Sequence, residues 1–135
     1  MAEPIERRFV QELARYYDLF VPDGDGPFPL VVAMHGYGGD KSSMLRLMRR
    51  VVGDDRFAIA SLQGPFQHVV PPDDASQPLK YGFGWVTNFK SDEAIAMHHD
   101  AVFRLFDELA GDPRVEADRA FFVGFSQAVG VIHRF

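Results

Sequence analysis

Three short runs, LVVAMH (Leu30 to His35), FAIASLQ (Phe57 to Gln63) and RAFFVGF (Arg119 to Phe125), are apolar almost end to end. No other feature constrains the fold as much. A strand that is apolar on both of its alternating faces needs cover on both, which is the condition of a parallel strand inside an α/β sheet. Between the first two runs, HGYGGDKSS supplies a glycine turn. MLRLMRRVV then sets Met44, Leu47, Met48 and Val51 at helical spacing before Gly53 stops the helix. Between the second and third, SDEAIAMHHDAVFRLFDELAGD places Ile95, Val102, Leu105, Phe106 and Leu109 on one face of a long helix, with Ser91, Asp92 and Glu93 at its N-terminus. Upstream, RFVQELARYYDLFVP alternates apolar and polar residues and predicts one or two strands from about Phe9 to Val21, a helix being the alternative for its first half. DGDGPFP is a turn. The order of elements predicts an α/β fold: a mainly parallel sheet with helices on both faces.

Composition narrows the function classes. At 135 residues, 47% of them hydrophobic, the chain suits one domain, residues 1–135. Its formal charge of −5, with no block of Lys or Arg, excludes nucleic acid as a partner. With no cysteine there is no disulfide framework, thiol nucleophile or thiolate metal site. MAEPIERRFVQELAR has no apolar run, no signal peptide is read there, and no stretch reaches membrane-spanning length. The expectation is a soluble, cytoplasmic protein without a transmembrane segment.

In sheets of this kind the working site lies at the carboxyl ends of the strands. Two glycine-containing turns fall there and should lie side by side: HGYGG, from His35, and GFSQA, Gly124 to Ala128. GFSQA fits the nucleophile elbow G-x-S-x-G in all but its last residue. The elbow holds a serine in strained backbone geometry, so the residues two positions away must be small. Gly124 and Ala128 both are, Ala128 adding crowding without forbidding the turn. An apolar strand precedes the motif and a helix start follows it. HGYGG is the second line of evidence, since acyl transfer needs backbone N–H groups aimed at a developing oxyanion and glycines allow close approach. Tyr37 and Gln127 would be the donors, His35 and Gly36 would border the substrate, and His35 reads as a hydrogen-bonded imidazole that supports the loop.

AMHGYGG and VGFSQA, with a long aromatic loop between them, resemble the carboxylesterase/phospholipase group of the α/β-hydrolases from about Arg15 onward. The resemblance implies an α/β-hydrolase sheet and a serine carboxylesterase or thioesterase acting through Ser126 on a small ester or thioester. It implies no metal and no cofactor. In that group the acid and the base follow the nucleophile, each after a later strand. Only QAVGVIHRF follows Ser126 here, so the chain reads as an incomplete domain, truncated after the nucleophile strand and helix, and inactive or very weak alone. His133 stands seven residues along the expected helix, roughly 10 Å from Ser126 along its axis and out of reach as a base. His98 and His99 lie mid-helix behind the sheet, one packed and one facing water, while His68 sits in a loop that borders the cleft.

That loop, Gly64 to Phe89, is rich in proline and aromatics. Phe66, Phe83 and Trp85 are its candidate substrate-lining residues, and PPDDASQP its expected mobile part. Two rival classes share parts of this pattern. Phosphate binding fails because Asp40 precedes Lys41 where a Walker motif needs glycine, and Lys41 stands where a dinucleotide fingerprint needs glycine. A non-catalytic α/β-hydrolase-like binding module, with the pocket but no triad, is the alternative. Finally, Ala120 to Phe125 would form an unpaired sheet edge, so self-association is expected through it and through the apolar side of Val129 to Phe135.

Overall fold

The computed structural model describes residues 2–135. Strand β1 (Tyr17–Phe20) is followed by β2 (Phe28–Met34), α1 (Lys41–Val52), β3 (Ala58–Leu62), β4 (Phe66–Val70), β5 (Lys80–Gly84), α2 (Ser91–Ala110), β6 (Val115–Gly124) and α3 (Gln127–Ile132). The main sheet has the order β1-β3-β2-β6. The strands β3, β2 and β6 run parallel, and β1 is antiparallel to β3.

Alternation along β2 decides which helix goes where. Val31 and Ala33 point to one face and pack with Met44 and Met48 of α1 and Ile59 of β3. Leu30 and Val32 point to the other and pack with Leu105 and Leu109 of α2, while Met34 meets Val102 of α2 and Ala128 and Val131 of α3. The sheet is therefore covered on both faces, and its two central strands are buried along nearly their whole length. Asp40 caps α1 by accepting the Ser43 N–H at 2.7 Å, and Gly53, at φ 81°, ends it.

Four expectations are corrected. The alternation over Phe9 to Val21 yields only β1; residues 2–16 form neither helix nor strand, and Phe9 and Val10 are exposed. The cause is the partner: β3 offers a four-residue register, Ile59 to Leu62, and alternation without a neighbour is not a strand. The segment from Gly64 to Phe89 is not a plain loop, because β4 and β5 pair antiparallel within it, Phe66 opposite Gly84 and Val70 opposite Lys80. The proline-rich stretch 71–78 is the exposed hairpin tip. The last strand starts earlier than its apolar run, at Val115, its register stepping from Glu116 to Ala120 between Pro29 and Leu30. The last helix, α3, spans only the six residues Gln127–Ile132, so His133 stands at its C-terminal end rather than within it. On α2, the buried stripe is Ala94, His98, Val102, Leu105 and Leu109, with Ile95 and Phe106 half-buried at its margin.

Candidate active site

Parallel pairing of β2 with β6, Met34 opposite Gly124, brings the turns that follow them together. A Cβ placed on Gly36 would lie 3.7 Å from the Ser126 Cβ. Ser126 occupies the turn between β6 and α3 at φ 53°, ψ −117°, a conformation that a non-glycine residue adopts only where its surroundings impose it, and its side chain is exposed. The surroundings are visible. A Cβ on Gly124 would meet Ile132 Cδ1 at 2.6 Å and Ala128 Cβ at 3.3 Å, and Ala128 is fully buried, so α3 lies directly against the end of β6. Residues larger than these would push the helix away and relax the turn.

The glycine loop after β2 is held by the hairpin. Gly38 N–H donates to the Phe83 carbonyl at 3.0 Å, and Phe83 N–H to the Gly39 carbonyl at 2.9 Å. Gly82 lies so close that an added Cβ would be 2.2 Å from the Gly38 oxygen, which only glycine permits. Gly39 N–H turns back to the Gly36 carbonyl at 3.0 Å. Among the described residues neither Gly36 N–H nor Tyr37 N–H of this loop finds an acceptor, and Gln127 N–H, first of α3, has none within that helix.

Gln127 has a second role that motif reasoning missed. Its Oε1 accepts the N–H groups of Trp85 at 2.6 Å and Val86 at 3.2 Å, and its Nε2 donates to the Val86 carbonyl at 3.1 Å. The side chain thus ties the elbow to the exit of β5. Trp85 continues the tie, its indole N–H donating to the His35 carbonyl at 2.7 Å and its own carbonyl accepting from His98 Nε2. His98 is fully buried, and burial pushes its pKa down to about 4; its Nδ1 has no partner. His35 is buried too, with Nδ1–H donating to the Gly36 carbonyl at 2.7 Å and Nε2 accepting Gly64 N–H at 3.0 Å. Burial, first, lowers its pKa against the smaller opposing effects of that bond and of Asp40.

Each candidate residue now has a place. Both ring nitrogens of His35 are engaged by backbone, so its part is to hold the loop and not to touch a ligand. Trp85 is fully buried in the core with Met34, Leu62 and Val102, so it presents no surface to a substrate, because its large apolar ring gains more from the core than from a cleft wall. Phe83 lines a different cavity, with Lys41, Gln63 and Pro65. Phe66 does border the cleft beside Tyr37 and Gln127, and His68 joins it. The His68 ring stacks on Tyr37 with centroids 4.2 Å apart and planes 13° from parallel. His99 is half-buried rather than simply in water, its Nε2 3.2 Å from the Val131 carbonyl and its ring beside Phe135. His133 lies at the C-terminal end of α3. Among the described residues no His, Asp or Glu hydrogen-bonds Ser126 Oγ, and no helix is long and apolar enough to cross a membrane.

No protein-family model matches the chain, and no curated protein does. A solved structure of a carboxylesterase from Mesorhizobium loti superimposes with a TM-score of 0.64 at 20% identity, over 92% of this chain and 55% of that one. The chain is therefore similar to a carboxylesterase in fold and spans about 55% of that protein's length.

Proposed function

We propose that the chain carries the nucleophile portion of an α/β-hydrolase-type serine ester hydrolase of the carboxylesterase/phospholipase group. Ser126 is its nucleophile, the N–H groups of Tyr37 and Gln127 are its oxyanion donors, and a small ester or thioester is its substrate. The observation that carries this reading is the φ of 53° at Ser126, on a strand-to-helix turn packed beside Gly36. Strain at one exposed serine between two loops with spare N–H donors is what acyl transfer requires. In the reaction, Oγ bonds to the acyl carbon and the carbonyl electrons move to the oxygen facing the two N–H groups. The ester C–O bond then breaks, the alcohol leaves with the serine proton, and water releases the acyl group.

Without a base the hydroxyl is a poor nucleophile, so the 135-residue chain is expected to turn over activated esters very slowly or not at all. A fluorophosphonate probe with imidazole in solution as external base tests the reading. An adduct mapped to Ser126 and absent from Ser126→Ala supports it. Labelling elsewhere, or none, leaves the alternative of a non-catalytic binding module. Self-association through β6 belongs to the same proposal, because that strand pairs on one side only.

A further inference from the structure

Arg15 carries a charge and has too few partners. Among the described residues its Nε and Nη1 are buried and hydrogen-bond to nothing, and its Nη2 makes a single long bond of 3.5 Å to the Gln63 carbonyl. No Asp or Glu among those residues forms an ion pair with it. Burial pulls its pKa down to about 10, which leaves it a cation at neutral pH. A guanidinium shielded from water in this state costs free energy that a counter-ion would return.

Three cavities border Arg15, and their other charges decide from which side a counter-ion can come. One also carries Glu12 and Asp100, and a second carries Glu108, so an anion entering either meets a like charge. The third, of about 350 Å³, has no acid. Lys41 lines it beside Arg15, but its Nζ is already paired with Asp18 at 2.7 Å. Gln63 adds a donor: its Oε1 accepts Lys41 N–H at 2.6 Å, and its Nε2 finds no acceptor among the described residues. Leu13, Pro65 and Phe83 supply apolar wall. What is left to a ligand is one uncompensated positive charge, an amide donor and an apolar surface.

We infer that this cavity binds a small monocarboxylate, with its carboxylate on Arg15 and the Gln63 amide and its apolar body against Leu13, Pro65 and Phe83. The guanidinium turns toward the cavity it already lines and presents two N–H groups, the fork that matches a carboxylate in parallel hydrogen bonds. One unpaired cation balances one negative charge. A phosphate monoester, close to −2 at neutral pH, would bring a second charge with nothing to meet it. The site shares no residue with the Ser126 turn, so it stands whether or not that serine reacts.

Calorimetric titration of the 135-residue chain tests this with four probes: 3-phenylpropanoate, the uncharged 3-phenylpropanamide, acetate and 2-phenylethyl phosphate. 3-Phenylpropanoate is expected to bind about tenfold tighter or more than the amide, which lacks the charge, and than acetate, which lacks the apolar body. The phosphate is expected to bind no tighter than the carboxylate. Arg15→Met should erase the preference for acid over amide. Leu13→Glu, in a segment that forms neither helix nor strand, sets a carboxylate of the chain's own beside Arg15 and should abolish binding of the acid while the chain stays folded. Arg50→Gln, in the exposed cluster with Arg46 and Arg49, should change binding by less than about twofold. Equal binding of acid and amide, or of acid and acetate, would overturn the inference, as would tighter binding of the phosphate or no binding at all. Undiminished binding of the acid by Leu13→Glu would overturn it too, and that variant decides the matter even where Arg15→Met does not fold.

Discussion

The main sheet has two edges, and they are built differently. At one, β1 is four residues long, antiparallel and half-buried throughout. Asp18 on it receives Lys41 Nζ at 2.7 Å and Ser42 Oγ at 3.2 Å, and Tyr17 donates its hydroxyl proton to Glu108 at 2.8 Å. At the other, β6 runs for ten residues with no charge from Ala120 to Phe125. Helix α1 packs on β1, β2 and β3, whereas Phe121 of β6, on that same face, meets the Phe57 ring edge-on at 6.0 Å between centroids and stays 52% exposed. Short length, a charge and tied side chains are how natural edges avoid pairing with other chains, and β1 has all three. The sequence of β6 is instead that of an interior strand. Its neighbour β2, equally apolar, is 0–3% exposed from Leu30 to Met34. Hydrophobicity sets what a strand needs, and its position in the sheet sets whether it gets it.

The largest effect expected from this difference is on association. At micromolar concentration the chain should sediment as dimers or larger species. Phe121→Lys, which puts a charge on the β6 edge, should weaken that association by roughly tenfold or more. A lysine at Tyr17 on the β1 edge should leave it unchanged. A monomer in sedimentation, or equal effects at both edges, would abolish the distinction.

Stability should divide along the same line. Ile59→Ala empties a fully buried site between β1 and β2 and is expected to cost about 2–5 kcal/mol, whereas Phe121→Ala should cost about 1 kcal/mol or less. Urea titration of the two variants checks this, and a loss at Phe121 equal to that at Ile59 would mean that β6 is packed in solution as an interior strand.

Acid adds a third contrast. His98 has a folded pKa of about 4 against an ordinary 6.5, so on acidification the unfolded chain takes up the proton first. Stability is then fully present above pH 6.5 and falls progressively down to about pH 4, by about 3 kcal/mol in all. His35, also depressed by burial, acts in the same direction. Because His98 bonds the Trp85 carbonyl, the emission of this single tryptophan should report the transition, and His98→Gln should flatten it. Edge amides of β6 should exchange quickly at every pH, whereas amides paired between β2 and β3 should lose protection only as the pH falls.

The sequence made some of this legible and hid the rest for physical reasons. Runs such as LVVAMH and FAIASLQ announce interior strands because burial on two faces leaves no room for polar residues. With those strands parallel, the adjacency of HGYGG and GFSQA follows from topology. The hairpin of β4 and β5 was hidden by the prolines at its tip and by glycines at 82 and 84, which read as loop but permit the close approach to Gly38 and Tyr37. Trp85 was misplaced because an aromatic residue in a long segment reads equally well as cleft wall and as core. Its indole bond to the His35 carbonyl, 50 residues away in sequence, leaves no local trace. The same holds for the Gln127 side chain, whose motif position advertises only its N–H.

The smallest expected effect is at Asp18. Its ion pair with Lys41 is about two-thirds screened from water on each side, with the two side chains 32% and 27% exposed, and it also anchors the Ser42 hydroxyl at the start of α1. Pairs of this kind contribute about 1 kcal/mol or less, so Asp18→Asn should lower stability by no more than that and lose most of its effect in high salt. The informative measurement is a double-mutant cycle with Lys41→Met, read alongside sedimentation. If β1 resists association because it is short and antiparallel, removing the charge leaves the oligomeric state untouched. If the charge itself protects this edge, Asp18→Asn should bring on a second mode of association that Phe121→Lys does not reverse. The first outcome is expected, because four residues offer a partner strand too few hydrogen bonds to hold it, with or without a carboxylate in their midst.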